Sequence, residues 1–281
     1  MRYASLLAVA ILAGCERAPA AAPSSEVKAL RVASLPSQPD DPAWDRAPAH
    51  AAALMKQELV EPRKLRPSAT EVRVQALTDG TTVAFRLLWT DAKAEDLRMP
   101  ASFGDACAVQ TPASAAPDLP APQMGERGKK VEISYWSASG PAWEEGRSDE
   151  VRTFHPNAQI DHYPFTAAPL EKDPEAQARM AKLYAPAHAV GNMARRAVQD
   201  LVAEGPGTIA PAADQVSRGR GSRDAQGWRV VIARPLPKGL GPDGRSQVAF
   251  AVWNGSEEDA GSRKMHTGWI PFVVRTEGGA P

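Results

Sequence analysis

The feature that most limits what this chain can fold into is a pair of alternating apolar runs, Val72–Leu77 and Val83–Trp89, separated by Thr78-Asp79-Gly80-Thr81. Alternation at period two places every second side chain on one face, so Val83, Phe85, Leu87 and Trp89 share a side. An Asp-Gly pair between two such runs is a strong hairpin signal. The same alternation returns in Val131–Trp136, and further strand-like runs cover Ala29–Leu35, Ala106–Val109, Trp228–Arg234, Val248–Trp253 and Trp269–Arg275. Asp41-Pro42-Ala43-Trp44 reads as a turn followed by a buried indole. Proline (26) and glycine (21) punctuate the chain heavily enough to disfavour an all-helical bundle. The expected class is mainly β, a β-sandwich or barrel.

Two regions depart from this pattern. Residues 140–225 are polar and hold two helical candidates, Glu175–Leu183 and Met193–Ala203, the second with Asn192 at its N-cap and Gly205 past its end. They read as a loop and helix insertion in the sheet. At the N-terminus, Arg2 precedes the apolar run Leu6–Leu12, which is too short to span a bilayer stably. The run ends in Leu12-Ala13-Gly14-Cys15, which resembles a bacterial lipobox. Residues 1–14 are therefore expected to be a lipoprotein signal peptide, and 15–28 a tether rich in Ala, Pro and Ser. Residues 29–281 then form the folded domain. Lipid on Cys15 would hold an exported protein at a membrane, facing the periplasm.

Charge and cysteine usage narrow the functional classes. Lys+Arg and Asp+Glu are both 33, whereas a nucleic-acid binder carries a basic excess. Two cysteines, Cys15 and Cys107, exclude a disulfide scaffold, a cysteine-ligated iron–sulfur cluster and a Cys-rich zinc site. Cys107 lies in a strand-like run and reads as a small buried side chain. Gly239–Gly244 satisfies G-x-G-x-x-G literally, but it carries a proline and joins two strands, so it reads as a turn. His155, Asp161 and His162 offer metal ligands at a spacing that matches no helical or strand pair. There is no G-x-S-x-G nucleophile elbow and no Cys-x-x-Cys-His haem attachment motif.

An ordered set of segments carries a more specific signal. It comprises Ala84–Asp91, Phe103–Gln110, Met124-Gly125 ahead of Val131–Trp136, Gly227–Arg234, and Phe250–Gly255 followed by Arg263-Lys264 and Trp269. Together these resemble the haem-binding γ subunit of the ethylbenzene dehydrogenase and dimethylsulfide dehydrogenase group, within the type II dimethyl-sulfoxide-reductase family. The resemblance runs over roughly residues 40–275. It implies a β-sandwich related to carbohydrate-binding modules that holds one haem b non-covalently. It also implies axial ligation by a methionine and a lysine, which fall on Met124 and Lys264 in this sequence. Trp89, Trp136, Trp253 and Trp269 are candidates to line the porphyrin, and Arg86 and Arg234 to pair with its propionates.

The chemistry of the two donors can be weighed separately. A thioether is a soft neutral ligand that favours ferrous iron. A lysine ligates only as the free amine, so its site must suppress protonation from an ordinary pKa of about 10.4. By residue type alone, the favoured readings are a loop methionine filling a gap for Met124 and a solvated side chain for Lys264. His266, two residues beyond Lys264, would share its face in an extended strand and is the alternative ligand. The resulting expectation is an exported b-type cytochrome without catalysis of its own. It would pass electrons between the iron–sulfur subunit of a molybdopterin oxidoreductase and a cytochrome c or similar carrier. The competing reading is a haem-free lipoprotein module that binds a carbohydrate or other ligand through exposed tryptophans.

Overall fold

The computed structural model describes residues 24–96, 103–115, 118–144, 196–241 and 243–275, with 156–157, 172–176 and 179 between them. The first strands are β1 (Val27–Arg31), β2 (His50–Ala53), β3 (Met55–Lys56), β4 (Glu71–Thr78), β5 (Thr82–Thr90), β6 (Ala106–Pro112) and β7 (Val131–Ser137). They are followed by β8 (Val198–Ala203), β9 (Ala210–Pro211), β10 (Arg218–Arg223), β11 (Gly227–Pro235), β12 (Arg245–Trp253), β13 (Met265–His266) and β14 (Ile270–Val274). Hydrogen bonding links eleven of them in the order β10-β11-β5-β4-β1-β14-β12-β6-β7-β8-β9, with β2 paired to β4, and β13 paired to β12 and β3. The fold is mainly β, as the alternation implied.

One strand turns this ribbon back on itself. The first half of β12, Arg245–Val248, pairs with β14, and the second half, Ala249–Trp253, pairs with β6. The two halves of the sheet then share one apolar core, with Phe85, Leu87, Val230 and Ile232 from one half and Cys107, Val109 and Trp136 from the other. Trp136 needs bare backbone opposite it: a methyl group on Gly221 of β10 would lie 2.4 Å from the indole. That spacing accounts for the Arg-Gly-Arg-Gly pattern of β10.

The expected hairpin forms β4 and β5, with Asp79 Oδ1 accepting hydrogen bonds from the Thr81 and Thr82 amides at 2.8 Å. Trp44 is fully buried on a short 3-10 helix, Pro42–Arg46, which Asp41 caps through the Ala43 amide. With Ala47 it closes the outer face of the first half-sheet over Leu77, Ala84 and Val231. Burying an indole of about 150–250 Å² contributes about 4–6 kcal/mol by area.

Three expectations change. Val198–Ala203 is a strand, paired antiparallel with β7, and not the second half of a helix. Its apolar residues fit either period, and β7 offers an unpaired backbone edge that a β-branched segment satisfies better than a helix would. Strands β8 to β10 therefore belong to the sheet, and the insertion shrinks to the stretch between Glu144 and Val198. Finally, β1 begins at Val27, inside the stretch read as tether. The Gly239–Gly244 segment is the expected turn between β11 and β12, with the Gly241 amide bonded to the Arg245 carbonyl at 2.8 Å. The other helical candidate, Glu175–Leu183, falls largely outside the described residues, and Cys15, His155, Asp161 and His162 fall wholly outside them.

Candidate functional site

The outer face of the second half-sheet carries a cavity of about 390 Å³. Its floor follows from strand alternation. Cys107, Val109 and Val252 point into the core, so Ala108, Ala251 and Trp253 point the other way. Alanines at 108, 249 and 251 leave the middle of the floor low, and Ile133, Tyr135 and Leu201 raise its far side. Four segments wall it: the loops 57–60, 122–124 and 206–209, and the stretch 261–267 that includes β13.

Met124 enters from one wall. It adopts φ +68°, a left-handed conformation that costs a non-glycine residue about 1–2 kcal/mol. The turn is held by the Gly125 amide on the Ala121 carbonyl (2.9 Å) and by the Gly205 amide on the Met124 carbonyl (2.8 Å). Gly125 follows at φ +84°, where a methyl group would lie 2.8 Å from the Lys129 carbonyl oxygen and 3.0 Å from that of Ala203. The turn strongly favours glycine there, and it delivers the thioether to the cavity.

Lys264 enters from the opposite wall, just before β13. Its Nζ donates to Met124 Sδ at 3.6 Å and lies 5.2 Å from the centroid of the Trp253 ring. Among the described residues it forms no ion pair. Part of its surface is accessible because it lines an open cavity, yet the surrounding protein is dense, and burial pushes its pKa down to about 8. His266 lines the same cavity, while Met265 between them is buried in the core, as the alternation predicts. The His266 ring lies with Nδ1 3.0 Å from the Thr267 carbonyl oxygen. Its pKa is lowered, chiefly by burial and further by the Lys264 charge, against the opposing Thr267 contact. Where Nδ1–H donates to that carbonyl, Nε2 is left as an acceptor or ligand.

Of the tryptophans expected beside the cofactor, Trp253 lines the cavity, packing edge-on to Tyr135 at 5.3 Å and donating from Nε1 to the Gly261 carbonyl. Trp269 braces the Met124 wall from outside by donating to the Pro120 carbonyl at 2.7 Å. Trp89 and Trp136 do not reach the cavity. They lie in the core against Trp228, with centroids 6.3 and 5.3 Å away. The reason is register: on β7 the residue facing the cavity is Tyr135, so its neighbour Trp136 faces inward. Nor do the two arginines line it. Arg86 bonds Gln75 and the Pro39 carbonyl, and Arg234 is buried against Glu132 at 2.8 Å. The sequence reading missed Tyr135, which the same alternation would have indicated. It also missed Gln57, Leu59 and Val60, which lie in a polar, proline-containing stretch with no periodic signal.

The arrangement brings a thioether, a lysine amine and an imidazole together in a largely apolar recess. No group of three His, Cys, Asp or Glu side chains able to hold a metal ion occurs among the described residues. A thioether, a deprotonable amine and an imidazole are suited instead to the axial positions of a metal whose other ligands come from a planar organic cofactor.

Comparison with known proteins gives the following. A family model described as "Ethylbenzene dehydrogenase" matches residues 41–265. The chain is 23% identical over 261 residues to the "Putative respiratory nitrate reductase heme subunit ORF7" of Haloferax mediterranei, covering 90% of this chain and 74% of that protein. Among solved structures it is similar to a family 9 carbohydrate-binding module from Caldicellulosiruptor kristjanssonii. In complex with cellotriose, that module aligns at TM-score 0.41 and 6% identity over 91% of this chain and 97% of the other. In complex with glucose it aligns at TM-score 0.38 and 7% identity over 90% and 100%.

Proposed function

The chain belongs to the ethylbenzene dehydrogenase family, and from that premise we propose that it is the haem b subunit of an exported respiratory oxidoreductase. In this reading it transfers electrons and does not itself catalyse, relaying them between an iron–sulfur subunit and a carrier such as a cytochrome c. The molybdopterin subunit of the complex holds the catalytic centre. Lipidation at Cys15 tethers the assembly to the membrane on the periplasmic side.

The observation that carries the reading is the pairing of Lys264 Nζ with Met124 Sδ in a largely apolar cavity, with no carboxylate among the described residues paired to the amine. The residues present fit a haem. An amine must lose its proton to ligate, and at pH 7 that costs about 4.6 kcal/mol for an ordinary lysine of pKa about 10.4. With the pKa of Lys264 down at about 8, the cost falls to about 1.4 kcal/mol. A bound haem would supply reversible one-electron exchange between ferric and ferrous iron. Met124 would hold the iron through its soft sulfur, which favours the ferrous form, and Lys264 would hold it through its deprotonated amine. Ala108, Ala249 and Ala251 leave room for a flat ring, and burial among the cavity walls disfavours the charged amine. Held by Met124 and Lys264, the haem would supply electron exchange and would not need to bind a substrate.

His266 provides the alternative ligand because it shares the cavity wall and presents Nε2 with Nδ1 oriented by Thr267. The test is to express the full chain with ample haem and record its oxidised and reduced spectra. A six-coordinate low-spin spectrum that is lost in Lys264→Ala and kept in His266→Ala supports the assignment. The reverse pattern makes His266 the ligand, and a colourless protein overturns the reading.

A further inference from the structure

Each wall that carries a donor atom is fastened by one buried glutamine. Gln110 on β6 donates from Nε2 to the Pro122 carbonyl at 2.9 Å, two residues before Met124. Gln57 donates from Nε2 to the Ser262 carbonyl at 3.1 Å, two residues before Lys264, and its backbone amide donates to the Lys264 carbonyl at 3.1 Å. The Gln57 amide oxygen in turn accepts from the Leu59 and Val60 amides at 2.7 and 2.8 Å, which makes the strap around residues 57–64 a rigid support. The two glutamines are 6% and 8% exposed, and both border the cavity. A long neutral amide is costly to bury unless it is bonded; Gln110 donates to the loop that presents Met124, and Gln57 divides its donor between the Lys264 loop and the Val60 carbonyl of its own strap, the latter at 2.7 Å.

We propose that Gln57 and Gln110 are paired positioning residues: Gln110 fixes the Met124 thioether and Gln57 fixes the Lys264 amine, and together they set the gap in which the cofactor is held. The inference rests on the reading of Met124 and Lys264 as axial ligands. It assigns to this chain the outer-shell support that metal ligands need to hold one orientation. Backbone and indole contacts share the load: the Gly205 amide holds the Met124 carbonyl at 2.8 Å, and Trp253 Nε1 holds the Gly261 carbonyl at 3.1 Å. Trp269 braces the Met124 wall further back, at Pro120, and Ser262 Oγ bonds Pro62 at the rim.

The test uses the full-length haem-loaded protein with Gln110→Met and Gln57→Met, which keep side-chain volume and remove the donor. Gln57→Glu retains the acceptor for the strap amides if the methionine variant fails to fold. Haem affinity, carbon monoxide binding to the ferrous form and reduction potential are measured, each also in Met124→Ala and Lys264→Ala backgrounds. The expected result is a loss of about 10- to 100-fold in haem affinity, with carbon monoxide gaining access. Coupling should be specific: the Gln110 substitution adds nothing once Met124 is gone, and the Gln57 substitution adds nothing once Lys264 is gone. Variants that lower thermal stability but leave affinity, potential and carbon monoxide inertness unchanged overturn the proposal. So does an equal loss in all backgrounds. If Met124→Ala and Lys264→Ala themselves leave haem binding intact, the ligand reading fails first and the positioning role with it.

Discussion

Replacing Gly125 with alanine tests whether the Met124 turn is built as described. At φ +84° any side chain costs about 1–2 kcal/mol. The new methyl group would also meet two backbone oxygens, those of Lys129 at 2.8 Å and Ala203 at 3.0 Å. Neither can swing away as the tip of a side chain would, because Ala203 lies in β8 and Lys129 closes a bridge with Glu126. Overpacking of this kind adds about 1–3 kcal/mol, for a total of about 2–5 kcal/mol. Gly128, in the next turn between Glu126 and Lys129, supplies the control. Its φ is +81°, yet nothing lies within 4 Å of a methyl group placed there. Gly128→Ala should therefore cost only the conformational term of about 1–2 kcal/mol. In a domain of this size each kcal/mol moves the melting midpoint by about 2–4 °C. Thermal melts of both variants, alongside haem titrations, separate the contributions. Gly125→Ala should melt well below Gly128→Ala and should also weaken haem binding, since it displaces the neighbouring thioether. Equal melting temperatures, or a Gly125→Ala protein that takes up haem like the parent, would refute the account of the turn.

Three other outcomes follow. Asp91 lies against Asp105, and its carboxyl is pushed up to about 6, first by burial and then by the Asp105 charge. The folded state thus holds a proton that the unfolded chain releases near 3.8, so this contribution to stability is present at low pH and is lost as pH rises through about 6. Asp91→Asn should raise the melting temperature at pH 7.5 and flatten its pH dependence between 4 and 7 (about the window set by the two values), as followed by calorimetry. The buried pair of Lys64 and Asp259, 2.5 Å apart, ties the strap to the loop before Lys264. Lys64→Met should cost about 3–5 kcal/mol in denaturant unfolding by leaving the Asp259 charge unpaired, and adding Asp259→Asn should recover much of it. Cys15→Ala should shift the exported protein from the membrane fraction to the soluble fraction, and unchanged membrane association would remove the lipid tether from the account.

How far these features could be read from sequence depends on how local their causes are. The β4–β5 hairpin and the buried Trp44 were legible because alternation, Asp-Gly and Asp-Pro are local signals that tertiary context rarely reverses. Val198–Ala203 was not, because six residues fit a helix or a strand and the choice fell to the waiting edge of β7. Met124 and Lys264 stand 140 residues apart, and only the resemblance of ordered segments singled them out. Residue type alone favoured a loop methionine and a solvated lysine. The tryptophans divide according to strand register: Trp253 falls on the cavity face, while Trp89 and Trp136 fall on the core face, a distinction that requires knowing which face carries the site. Gln57 had no local signal because its role consists of bonds to a loop some 205 residues away.

The most direct test of the central claim is a haem titration of the purified full chain, followed by absorption from the Soret region into the near infrared. The account predicts uptake of one haem per chain with a low-spin spectrum and a sulfur-to-iron charge-transfer band that disappears in Met124→Ala. A chain that takes up no haem, or a haem complex whose near-infrared spectrum is the same with and without the Met124 sulfur, would contradict it.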